Sequence, residues 1–288
     1  MEIALQNVVS LSIMLVMALS LFIMLCIIDF YRQPVVTKYK IVTNKLSKEQ
    51  SLKLLLISDL HSHIFGENQN KLITLMANEK PDMIALVGDI ADDKAPIKGA
   101  ELFLKGIEGM APTYYVTGNH EFASKEIDSI KSMFRKYNVR ILEHQYEKLW
   151  VRDIPLIIGG VDDPFITKHK DLKFNWEKKM YNAFSNLNKQ AEYKILLSHR
   201  PEQVKAYKKT PFDLVLSGHA HGGQVRIPFL LNGLFAPEQG LFPKYAGGVY
   251  MHDKLVHVVS RGVSFHFFRP RVFNPPEVVV VEIIGQIK

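Results

Sequence analysis

The 288-residue chain is 47% hydrophobic and 23% charged, a balance that supports a packed core and excludes an intrinsically disordered chain. It carries a formal charge of +7 and one cysteine, Cys26, which excludes an internal disulfide and a thiolate cage for metal. Any metal must be held by His, Asp and Asn.

Val8–Ile28 comes first, 21 residues without a charge. At about 1.5 Å per residue it spans roughly 30 Å, the thickness of a bilayer's hydrocarbon core. A buried soluble helix is rarely apolar all round for that length. A cleaved signal peptide is the competing reading, but it wants basic residues ahead of the apolar run and a small-x-small site behind it. Only Glu2 stands ahead, and no such site follows. Residues 1–30 therefore read as a retained transmembrane anchor. Arg32, Lys38, Lys40, Lys45 and Lys48 follow it and no Lys or Arg precedes it. The positive-inside rule then places the remainder in the cytoplasm, as a single-pass membrane protein. No twin-arginine pair supports export by that route. All 36 basic residues but only 27 of the 29 acidic ones follow position 29. A tethered basic domain is drawn to anionic lipid by about 1 kcal/mol per well-placed cation. The alternative is a solvated Lys-rich surface, and nucleic acid would be an odd partner for an anchored protein.

Residues 31–51 read as a polar, basic connector, partly extended around Pro34. A domain over 52–288 opens with Lys53–Ser58, an apolar strand of the kind buried on both faces. Met83–Val87 and Thr113–Thr117 repeat the pattern, with helical spacing over 67–79 and 99–108. Asp59, Asp89 and Asn119 are each 30 residues apart, about the length of one βαβ unit. Such strands put their carboxyl ends on one edge, where open α/β sheets bind ligands. Helices are predicted near Ser124–Tyr137 and Leu172–Asn188, and strands near 156–159, 194–198, 213–217, 255–260 and 278–284. The Gly-, Pro- and aromatic-rich stretch 224–252 reads as a long structured loop. There is no internal repeat.

Five blocks carry the chemistry: Asp59–Leu60–His61, Gly88–Asp89–Ile90–Ala91–Asp92, Gly118–Asn119–His120–Glu121, Ser198–His199–Arg200–Pro201 and Gly218–His219–Ala220–His221–Gly222–Gly223. Each follows an apolar strand and offers oxygen or imidazole ligands. Five of the eleven histidines fall in them, too many beside strand ends for coincidence. Two divalent ions about 3.5–4 Å apart can generate a hydroxide nucleophile and clamp phosphoryl oxygens, and they want this ligand inventory.

The order of blocks resembles the calcineurin-like metallophosphoesterase superfamily, and Ser217–Gln224 resembles its small membrane-anchored branch of phosphohydrolases. The resemblance covers roughly residues 52–285. It implies a four-layer α/β/β/α sandwich of two mixed β-sheets. It also implies that Asp59, His61 and His221 hold a first metal, that Asn119, His199 and His219 hold a second, and that Asp89 bridges them. His120 would face the scissile phosphate as a catalytic group, oriented and charged by Asp92. Manganese, iron or zinc suits such ligands. Asp93 reads as a solvated neighbour and Glu121 as a helix cap or a support for the site. His63, His144, His169, His252, His257 and His266 read as structural, His63 standing nearest the blocks, four residues after Asp59.

Two departures from the branch bear on substrate. Val263–Ser264 follows Ser260–Arg261–Gly262 where a glycine-containing continuation is expected, and Phe265–Phe268 is bulky for its position. With Arg269 and Arg271 that run reads either as an amphipathic lip at the membrane or as a buried edge cluster. Gly66–Asn70 is also less basic than in many relatives. The function implied is hydrolysis of a phosphodiester or pyrophosphate in a lipid-linked or nucleotide-activated substrate, a nucleotide-diphosphate acylated sugar being a narrower choice. The alternatives are a non-catalytic metal-binding scaffold of the same fold and a nuclease, which the anchor argues against.

Overall fold

The computed structural model describes residues 2–30, 33–168, 174–265 and 271–286. Helix α1 (Glu2–Phe30) contains the apolar run, and no residue of Gln6–Leu25 is buried against the rest of the molecule. Among the described residues it is the one helix long and apolar enough to cross a membrane.

The strands β1 (Val35–Thr43), β2 (Ser51–Ile57), β3 (Met83–Val87), β4 (Thr113–Val116) and β5 (Arg140–Ile141) belong to a first sheet. After β6 (Gln145–Val151), β7 (Ile154–Gly160), β8 (Tyr193–Leu197) and β9 (Leu214–Ser217) come a small hairpin, β10 (Phe235–Ala236) and β11 (Gly240–Leu241), then β12 (Gly248–His252), β13 (Leu255–Val259) and β14 (Glu277–Gly285). The first sheet runs β1-β14-β2-β3-β4-β5 and the second β12-β13-β9-β8-β7-β6. Both are mixed. In the first, β2 to β5 are parallel and β14 enters antiparallel to β2. In the second, a parallel centre is closed at each edge by an antiparallel strand.

Period-two alternation distributes each strand's side chains between two layers. Leu54 and Leu56 face the second sheet, meeting a common core with Ile195, Leu197, Leu216 and Val258. Leu55 and Ile57 point outward to α2 (Asn70–Asn78), α3 (Lys98–Ile107) and, past the short α4 (Asn119–Ala123), to α5 (Ile127–Lys136). The outer face of the second sheet is covered by α6 (Trp176–Phe184) and α7 (Val204–Tyr207), through Trp176, Met180, Phe184 and Tyr207. The architecture is the expected four-layer α/β/β/α sandwich.

Several elements differ from expectation. The stretch read as a connector contributes β1, which pairs along its nine residues with β14 and so belongs to the sheet. Its alternation of Lys with Val, Ile and Tyr is that of a half-exposed edge strand. The helix expected over Ser124–Tyr137 starts at Ile127, after a break. The Ser124 hydroxyl donates to the Glu121 carbonyl at 2.7 Å and accepts from the Glu126 amide at 3.1 Å, replacing helical bonds there. The 224–252 stretch contains β10, β11 and β12 rather than loop alone. The helix expected from Leu172 begins at Trp176, capped by the Asn175 side chain, and residues 169–173 lie outside those described.

Candidate metal centre

The five blocks lie at the carboxyl ends of β2, β3, β4, β8 and β9, and the backbone turns through positive φ in the first, second and fifth. Asp59, His61, Asp89, His219 and His221 all have positive φ, between 46° and 67°. Non-glycine residues in this region carry strain that a functional site retains only where the surroundings enforce it. Two glycines make the crowding possible. A Cβ on Gly88 would stand 2.5 Å from His199 Nδ1, and one on Gly118 would run into the Asp89 carboxylate.

The side chains converge as two triads. Ligand atoms of Asp59, His61 and His221 lie within 4.8 Å of one another, as do those of Asp89, His199 and His219. Within the second triad His199 Nε2 is 3.1 Å from Asp89 Oδ2, and the triads meet where the same atom lies 4.0 Å from Asp59 Oδ1. His221 Nε2 is 3.4 Å from Asp59 Oδ1, and the His219 amide donates to both Asp59 oxygens at 3.1–3.2 Å. His199 Nδ1 donates to the Val87 carbonyl at 2.8 Å, which leaves Nε2, facing Asp89, as the atom that could take an ion. The Asn119 Oδ1 atom is buried without a hydrogen-bond partner. A buried acceptor left unpaired is costly, and a cation would satisfy it. The donor set fits divalent metal.

Electrostatics agree. Burial raises the Asp89 pKa, but the His199 charge and hydrogen bond outweigh it and hold the carboxyl well below the usual range. Burial lowers the pKa of His199, yet Asp89 and Asp59 lift it to about 10. Burial pushes His221 down to about 3, so it stays neutral and able to donate its lone pair. Without a cation the cluster is thus balanced by a proton on His199, which a metal must displace.

His120 stands beside the triads, its Nε2 4.0 Å from Asp89 Oδ2 and its amide donating to Asp89 Oδ1 at 2.8 Å. Its Nδ1 lies 3.1 Å from Asp92 and 2.7 Å from Asp93. Asp93, read from sequence as a solvated neighbour, is therefore the nearer carboxylate. Asp92 divides itself between His120 and His61 Nδ1, at 3.0 Å from the latter. These groups line a cavity of about 300 Å³ that His221, Lys94 and Arg271 also border.

Supporting residues complete the site, Asp163 and Glu238 among them without a sequence signal. Arg200 binds Asp163 with Nε and Nη2 at 2.6 and 3.1 Å, and its Nη1 reaches His219 Nε2 and Glu238, each at 2.9 Å. Asp163 and Glu238 lie far from the blocks in sequence, and no local pattern marks them. Glu121 fills both roles read for it, cap and support. Its carboxylate accepts the amides of Asp89, Ile90, Ala91 and Gly118 at 2.7–3.1 Å, binding the second block to the third. Burial and the nearby Asp89 charge push its pKa up to about 7, against the pull of those amides. Glu121→Gln turns an amide nitrogen toward amide donors, and stability is expected to fall by about 2–4 kcal/mol. Urea denaturation of the metal-free protein measures this, and an unchanged midpoint would refute the assigned role.

The remaining described histidines stay outside the triads. His144 is buried beside Asp162 and His257 bonds the Ser217 hydroxyl at 3.0 Å. His63 borders the cavity and packs on Phe65 and Phe265 with ring centroids 4.7 and 4.3 Å apart. His169, His266 and residues 267–269 of the aromatic run lie outside those described.

Residues 52–223 match the family model of the calcineurin-like phosphoesterases. The chain is 30% identical over 245 residues to an uncharacterized metallophosphoesterase of Campylobacter jejuni, covering 83% of this chain and 60% of that one. An uncharacterized metallophosphoesterase of Aquifex aeolicus is 30% identical, with 87% and 92% covered. A Bos taurus "transmembrane protein with metallophosphoesterase domain" is 27% identical, with 85% and 56% covered. The chain spans 60–64% of the length of the Campylobacter relative and of two from Helicobacter pylori. Among solved structures, a 5'-nucleotidase precursor of Thermus thermophilus superposes with a TM-score of 0.53 at 13% identity, covering 82% of this chain and 54% of that one. This last likeness concerns the fold. The family model spans every block and the strands that carry them: the chain belongs to the calcineurin-like phosphoesterase family.

Proposed function

We propose that this protein is a membrane-anchored, metal-dependent phosphoesterase whose centre holds two divalent ions. Asp59, His61 and His221 would hold one, Asn119, His199 and His219 the other, with Asp89 between them. Bound there, the ions supply a nucleophile at neutral pH and neutralise charge on the phosphoryl oxygens. Asp92 and Asp93 hold His120 by Nδ1, leaving Nε2 to protonate the departing oxygen. Glu121 keeps the Asp89 turn in place. Lys94 and Arg271 give the cavity wall positive charge suited to a phosphate.

The observation that carries this reading is the convergence of two ligand triads beside a cavity that His61, His221 and His120 line. Mixed imidazole, carboxylate and amide ligation favours manganese, iron or zinc. The substrate is a phosphodiester or pyrophosphate, lipid-linked or nucleotide-activated, reached from the cytoplasmic face beneath α1. The full chain in detergent, loaded with Mn²⁺, is expected to hydrolyse such a compound, to lose turnover on chelation and to regain it with metal. Turnover indifferent to chelation, or absent across diester, monoester and pyrophosphate panels with metal bound, refutes it.

A further inference from the structure

We infer that the domain docks its metal-bearing edge onto the bilayer through the turn Ile227–Leu231 and Phe273, so that the cavity opens on phosphate esters carried by lipid headgroups. The docking rests on reading α1 as a membrane span, and the substrate class also rests on the phosphoesterase reading.

Strand register supplies the first argument. Val35, where β1 begins, pairs with Glu277, and Leu56 near the end of β2 pairs with Val279. The strand that follows α1 therefore starts at the edge that carries Asp59, not at the opposite one. Residues 31–34 separate α1 from β1. A chain of that length reaches at most about 18 Å. A membrane-embedded α1 thus holds the catalytic edge close to the lipid surface.

The second argument is what this edge exposes. Ile227 and Leu231 exchange backbone hydrogen bonds at 2.8–2.9 Å, closing a turn with Pro228, Phe229 and Leu230 at its tip. Phe229 is completely exposed and Leu230 is 81% exposed. Phe273 is also exposed, across the bridge that pairs Val225 with Val272. Phe229 and Phe273 have φ of 66° and 50°, uncommon for bulky residues. A hydrogen-bonded turn that holds aromatic side chains in water, at positive φ, fits a surface that something covers. The turn is continuous with the cavity, since Gln224 and Arg271 line its wall. It is also near the tether, since Val35 bonds the Pro276 carbonyl at 2.9 Å, three residues from Phe273. The bilayer is the one apolar phase that the tether brings to this edge, and interfacial insertion of such residues is its usual use.

The full chain carrying Cys26→Ser, with Phe229→Cys or Phe273→Cys bearing an environment-sensitive fluorophore, tests this in phosphatidylcholine–phosphatidylglycerol vesicles. Trp150→Cys is the control, exposed beside Arg152, which bonds Ser51 at the opposite edge. Labels at 229 and 273 are expected to shift to the blue and to be quenched by doxyl lipids, and the label at 150 to do neither. Phe229→Asp with Leu230→Asp is expected to keep turnover of a soluble diester and to lose about tenfold or more on a vesicle-borne ester. A water-like 229 label on protein that floats with the vesicles overturns the inference, as does crosslinking of 229 between two copies. A chain that does not float overturns it together with the reading of α1. Quenched labels without turnover of any ester support docking and remove the substrate class with the phosphoesterase reading.

Discussion

Asp89→Asn is expected to lower kcat/KM by about 10³-fold or more, ~4 kcal/mol of transition-state stabilisation, and to reduce the bound metal. Asp89 is almost fully buried and is the residue on which both triads and His120 bear. One oxygen meets His199 and the other accepts the His120 amide. An amide there removes the negative charge that two cations would share, and its NH₂ group must face either an imidazole or a backbone donor. Elemental analysis of the variant and of the wild type, beside turnover, makes the measurement. Wild-type metal content and turnover would show that the residue does not bridge. The same electrostatics set the pH dependence of loading. His199 is lifted to about 10 in the metal-free cluster, so a proton competes with the ion, and metal affinity is expected to rise with pH up to that value.

His120→Asn is expected to cost about 10²–10⁴ in kcat while leaving the metal content intact, because the proposed function makes His120 a proton donor and not a ligand, although its ring lies within ligand range of His61 and Asp89. A non-catalytic scaffold would lose nothing measurable, and a metal ligand would lose the ion as well. Burial depresses the imidazole pKa, but the hydrogen bond to Asp92 and the charge of Asp89 raise it to about 9. A group whose folded pKa lies above its unfolded value stabilises the folded state fully below the unfolded pKa. That stabilisation is lost as the pH rises through the folded value. In the metal-free protein the wild type should therefore exceed His120→Asn in stability at pH 6, with the difference closing between about pH 6.5 and 9. Parallel pH dependence of the two proteins would show that the carboxylates do not charge this ring.

The central strands and the five blocks were legible because they are local patterns. Lys53–Ser58 is a continuous apolar run, and a strand buried on both faces has that composition whatever surrounds it. Asp59 and His61 stand two residues apart in the turn after it, a spacing visible in the sequence itself. The edge strands were harder to see. β1 looks like a polar linker because one of its faces meets solvent, and only its partner β14, more than 200 residues away, makes it a strand. The short β5 depends likewise on β4 for its definition.

The amino-acid sequence by itself determined the apolar first helix, the alternation of strands and helices, and the residue types available to a metal. Each follows from spacing within a few turns of chain. Tertiary structure alone decided that Asp93 lies nearer His120 than Asp92 does, that Glu121 binds two blocks together, and that Arg200 joins Asp163 to His219. It also decided that the strand after α1 starts at the catalytic edge. Those facts depend on distances between segments that share no local pattern, and packing two sheets into one core is what sets them.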